Sequence, residues 1–197
     1  MTSHSIAHSD EFRAGRELSL DHRKLGMWLF LASEVMFFGG LIGTYLHYKA
    51  TLPTPEAALL DTVLVGLNTF VLITSSLMVV LGLDAIQRGH RRGLITFLGL
   101  TALLGAIFLG GQVYEFISLA GHGVTLQSSV FGSSFYTLTG FHGLHVLIGV
   151  VWALVTLVKA ARGTYSAQEH AGVEAFGLYW HFVDVVWIVL FTIIYLI

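Results

Sequence analysis

The chain carries five long apolar runs, at residues 25–45, 63–83, 94–117, 131–158 and 175–197, and these decide what it can fold into. A hydrocarbon layer about 30 Å thick is crossed by roughly 20 mostly apolar residues in helical form. Each run reaches that length. Inside lipid every backbone N–H and C=O must be bonded within its own segment, which makes each run an α-helix. The two prolines, Pro53 and Pro55, both fall in the gap after the first run, so no span is interrupted. Hydrophobic residues make up 55% of the chain and charged residues 11%, against about 25% charged in a soluble domain. That surplus excludes a water-soluble globule. The expected architecture is an all-α integral membrane protein: a polar leader at 1–24, then one membrane domain at 25–197 built as a bundle of five transmembrane helices. The first run is not a cleaved signal peptide, because it starts late, is too long and holds Glu34 in its middle.

Charge placement orients the bundle. Arg13, Arg16, Arg23 and Lys24 in the leader, Arg88, Arg91 and Arg92 in the second gap, and Lys159 and Arg162 in the fourth share one side, while Lys49 stands alone on the other. Basic residues collect on the cytoplasmic side, so the N-terminus is expected in the cytoplasm and the C-terminus outside. The net charge of −2 gives no field to recruit nucleic acid. The absence of cysteine removes disulfides, thiolate metal sites and cysteine nucleophiles together. Glycines recur inside the spans, and the Gly39/Gly43 spacing reads as close helix packing within the bundle.

Polar side chains at membrane depth are costly, so each asks for a partner or a task. Glu34 has no basic neighbour in its own span. It is expected to be a neutral, protonated acid, since burial disfavours the anion, or to line a cavity holding water or a lipid headgroup. Asn68, Gln112 and Glu115 read as polar clamps between helices. His142 and His145 share one helix face at i and i+3, and His181 stands three residues before Asp184. The histidines fit three readings: a metal or haem site with one ligand on each of two helices, a proton relay, or interhelical clamps, with His181 and Asp184 paired on one turn. No Glu-x-x-His pair of the di-iron kind accompanies them.

The run from Thr139 to Val146, TGFHGLHV, followed by YWHFVDVVW from Tyr179 to Trp187, resembles subunit III of the haem–copper oxidases. Gly26-Met27, SEVMFF from Ser33 to Phe38, Pro53-Thr54-Pro55-Glu56, Leu67-Asn68-Thr69 with Ser75-Ser76, Gly111-Gln112 with Glu115, and Gly132-Ser133 agree in order and spacing over about 24–197. The longer mitochondrial form of the family has two further N-terminal helices, so the resemblance is to the short five-helix bacterial form. It implies a proton-pumping aerobic terminal oxidase in the bacterial plasma membrane, reducing oxygen to water. The cytochrome c type is favoured by Glu174 before Tyr179-Trp180, with a quinol oxidase as the alternative; a free-standing cytochrome or a transporter is the reading from another class. The family further implies a supporting, non-catalytic subunit with no metal or redox centre, the haems and copper lying in partner subunits I and II. Subunit I is the main contact, a small subunit IV is a further partner, and bound phospholipids and sustained proton uptake are the expected contribution. Lys159, Arg162 and His170 are the candidate headgroup contacts.

Overall fold

The computed structural model describes residues 22–53 and 55–197. Residues 1–21 of the leader, with Arg13 and Arg16, lie outside the described residues. Five helices follow in order: α1 (His22–Thr51), α2 (Thr62–Gln87), α3 (Arg91–Gly121), α4 (Val130–Ala161) and α5 (Ala171–Phe191). A 3₁₀ turn, Pro55–Leu59, precedes α2, and α5 runs into a π-helical turn, Thr192–Leu196. All five are long and apolar enough to cross a membrane, and no strand occurs among the described residues. The helices outrun the apolar stretches because polar end turns continue them; α1 carries on through Tyr48 and Lys49 to Thr51.

The helix ends explain the short connections. Asp61 caps α2 by accepting from the Leu64 amide at 3.0 Å, and Ser129 caps α4 by accepting from Gly132 at 3.0 Å. The last turns of α2, α3 and α4 close alike. Gly89, Gly123 and Gly163 adopt φ of 78°, 81° and 82°, and the amide just beyond each reaches back inside the helix: His90 to Ala85, Val124 to Leu119 and Thr164 to Lys159. Such a reversal needs the left-handed conformation that only glycine enters at no steric cost. Arg91 adds a tie between connections, donating from Nε to the Ala160 carbonyl at 2.7 Å and from its terminal nitrogen to that of Ala161, at the end of α4.

Helices α2, α3, α4 and α5 form a closed ring of neighbours, and α1 lies outside it, packed on α4 and α5. The ring interior is aromatic: Phe108, Phe135, Phe176 and Trp180 are fully buried, and Trp187 nearly so. Glycine makes room for Trp180. A Cβ at Gly105 or Gly149 would stand 2.7 or 2.6 Å from its ring. Gly39 and Gly43 differ from the expectation: a Cβ at either would meet nothing within 4 Å. Their GxxxG spacing lies on a face of α1 that no other described helix covers. Large apolar side chains such as Met36, Val63 and Phe70 point outward, as befits a molecule whose solvent is hydrocarbon.

Candidate functional site

Polar contacts tie the helices together at several levels of the bundle. Glu34 of α1 places Oε2 3.1 Å from His145 Nε2 of α4, with the side chains 17% and 12% exposed. His145 Nδ1 lies 2.7 Å from the Phe141 carbonyl. A carbonyl can only accept, so Nδ1 carries a proton. Nε2 and the carboxyl then share one further proton: either a neutral acid donates to a neutral imidazole, or an imidazolium faces a carboxylate. Both forms are neutral overall, which is what makes the pair tolerable at this depth. Phe38 and Phe37 pack against the imidazole, with ring centroids at 5.1 and 6.4 Å, and Tyr179 of α5 donates its hydroxyl to the His145 carbonyl at 3.0 Å. Glu34, without a partner on its own helix, therefore finds one 111 residues away on another.

Three further polar side chains span helix pairs. Asn68 Nδ2 donates to the Phe108 carbonyl at 2.9 Å, Gln112 Nε2 donates to the Thr139 carbonyl at 2.6 Å, and Glu115 holds the Tyr195 hydroxyl 2.9 and 2.8 Å from its two oxygens. Gly111 and Gly143 make space for two of them: a Cβ there would stand 2.6 Å from Asn68 and 2.5 Å from Gln112.

Two expected clamps are built otherwise. His142 is fully buried, and neither ring nitrogen has a hydrogen-bond partner among the described residues. Its ring instead stacks on Trp187, centroids 4.8 Å apart at 25°, with the Phe108 ring edge-on at 6.0 Å. The His181–Asp184 pairing on one turn is also absent. His181 Nδ1 meets the Ser76 hydroxyl of α2 at 2.5 Å, and the Asp184 carboxyl is buried beside the same Ser76. An imidazole swung toward the neighbouring helix cannot also turn along its own.

At the other end of α4, Lys159 and Arg162 are exposed. His170 stands just before α5 and sets Nε2 3.2 Å from Glu174. Sequence spacing did not single out Tyr179, Tyr195, Trp180 or Trp187 as partners. Trp180 donates to Ser75 and Trp187 to Thr69, each at 2.9 Å. The available signal was chemical, since a buried Tyr or Trp seeks a hydrogen-bond partner for its polar atom. Among the described residues no three His, Asp or Glu side chains converge as a metal site. The arrangement can hold helices together and keep a proton at Glu34–His145.

The family model described as cytochrome c oxidase subunit III matches residues 16–197. A protein named cytochrome c oxidase subunit 3 from Thermostichus vulcanus is 44% identical over 179 residues, covering 89% of this chain and 88% of its own length. One of the same name from Synechocystis sp. is 46% identical over 183 residues, covering 89% and 76%. Another from Corynebacterium diphtheriae is 40% identical over 186 residues, covering 88% and 87%.

Proposed function

Because the chain belongs to the cytochrome c oxidase subunit III family, and so is a multi-pass membrane subunit of an oxidase complex, we propose that it is the supporting third subunit of a proton-pumping, cytochrome c-type terminal oxidase. In this reading it touches no reacting atom. Oxygen is reduced to water at haem and copper centres of subunits I and II, with cytochrome c as the donor, and this chain flanks subunit I, with subunit II and a small subunit IV as further partners. The N-terminus lies in the cytoplasm of a bacterial cell and the C-terminus outside.

The observation that carries the reading is the Glu34–His145 pair. It is held by packing and by the Phe141 carbonyl, and it keeps one proton between two partners. Such a pair fixes α1 on α4 while staying neutral. It can sustain local order or proton supply beside a partner subunit without taking part in the chemical step. Phospholipids are the second element of the proposal. Lys159 and Arg162 are exposed at the C-terminal end of α4 and would meet a lipid phosphate there, and His170, at the start of α5, is the third headgroup contact of the proposal.

The test is turnover of the assembled complex. Glu34→Ala should leave the initial oxygen-reduction rate within about twofold, with the loss appearing as weaker pumping or a shorter working life. An immediate fall of more than about a hundredfold, about 2.7 kcal/mol of barrier, with haem content intact, would place Glu34 in the chemical step and refute the supporting role.

A further inference from the structure

Far from the Glu34–His145 pair, the end of the bundle that carries Lys49 holds a cavity of about 200 Å³. It lies among the last turn of α1, the 3₁₀ turn and the first turn of α4. Its wall is mainly apolar, with Leu52, Pro53 and Phe131 among its residues. Four polar features interrupt that wall. Tyr45 is 2% exposed, and its hydroxyl is buried without a hydrogen-bond partner among the described residues. Lys49 spends one of its three donors on the Ile193 carbonyl at 3.0 Å, and its ammonium lies 5.9 Å from the Tyr45 ring centroid. Ser129 caps α4 through Gly132, which leaves the Val130 and Phe131 amides without an intrahelical acceptor. Glu56, the fourth, lines the same cavity.

These features specify an occupant. Lys49, the Tyr45 hydroxyl and the start of α4 all favour an oxyanion, and Glu56 favours a cation close by. A purely anionic headgroup would face Glu56 unpaired, and a simple cation would leave Lys49 and Tyr45 unanswered. Next to the cavity, and sharing Tyr48 and Ser134 with it, a groove runs between α1 and α4 past Leu41, Thr44 and Leu138. Its wall is mainly apolar, as an acyl chain requires. Lys49 sits in the last turn of the span, the depth at which headgroups lie.

We propose that this cavity binds one phospholipid whose headgroup carries both a phosphate and a primary amine. The phosphate accepts from Lys49, Tyr45 and the first turn of α4, the amine meets Glu56, and an acyl chain follows the α1–α4 groove. The site is distinct from Lys159 and Arg162, which stand at the opposite end of α4. It requires only that the chain sits in a bilayer and does not rest on the oxidase reading.

The test is lipid retention per chain in the full complex, captured through this chain from discs holding equal phosphatidylethanolamine and phosphatidylglycerol and weighed by native mass spectrometry. The wild type should retain one phosphatidylethanolamine in clear excess. Lys49→Gln and Tyr45→Phe should each weaken that retention by about tenfold, Lys49→Arg should preserve it, and Glu56→Gln should keep a lipid while losing the preference for the amine. Equal retention in Tyr45→Phe and Lys49→Gln, or a wild type that prefers phosphatidylglycerol, would overturn the proposal. So would release of the bound lipid by millimolar inorganic phosphate, which would identify a soluble phosphate site.

Discussion

Replacing both members of the Glu34–His145 pair should cost the fold less than the two single replacements added together. The side chains are 17% and 12% exposed and bonded at 3.1 Å, so solvent does not rescue a stranded partner. His145→Leu leaves the acid without its partner on α4. An unsatisfied neutral group of this kind costs about 1–3 kcal/mol, and polar contacts between membrane helices lie nearer 0.6–1.7 kcal/mol. A loss of about 2 kcal/mol is therefore expected for His145→Leu, and about 1–2 kcal/mol for Glu34→Leu. The double variant leaves nothing stranded, so the cycle should return a coupling of about 1–2 kcal/mol. Glu34→Gln separates the two forms of the pair. Its amide can donate to Nε2 as a neutral acid would, so a cost below about 1 kcal/mol marks the neutral form and a larger cost marks the ion pair. Steric trapping of the unfolding equilibrium in bicelles measures all four variants. Additivity within about 0.3 kcal/mol would refute the pairing.

Two further outcomes follow from the helix geometry and the charge pattern. Gly149→Ala should destabilise the bundle by about 1–3 kcal/mol in the same assay through overpacking, because its Cβ would stand 2.6 Å from the buried Trp180 ring. Gly39→Ala, with nothing within 4 Å, should be neutral or stabilising by about 0.5–1 kcal/mol. A reporter fused after Ile197 should behave as extracytoplasmic and one inserted beside Arg91 as cytoplasmic; reversal of either would refute the proposed orientation.

The five spans were legible because lipid imposes one length and one secondary structure on any long apolar run; α1 to α4 contain their runs and extend past them, and α5 starts before its run and passes into the π-helical turn near the run's end. Residue spacing showed which side chains share a helix face, but not which helix that face meets. His181 and Asp184 lie one turn apart, yet His181 bonds Ser76 of α2. Gly39 and Gly43 form a small-residue spacing, yet it faces away from the other described helices. His142 and His145 are three residues apart and share little chemistry: one stacks inside the ring on Trp187, and the other reaches α1 through Glu34. Asn68, Gln112 and Glu115 do bridge helices, but their acceptors and donors are a backbone carbonyl of α3, one of α4 and a tyrosine in the terminal π-helical turn. None of these is marked by polarity in a hydropathy pattern.

Affinity capture of this chain from membranes under mild detergent, followed by a haem assay on the complex and on the separated chain, tests the supporting-subunit account most directly. The account predicts a large haem- and copper-containing partner in the captured material, no haem on the isolated chain, and unchanged haem per complex in His142→Ala and His145→Ala. Haem on the isolated chain, or loss of one haem per complex in either variant, would contradict it.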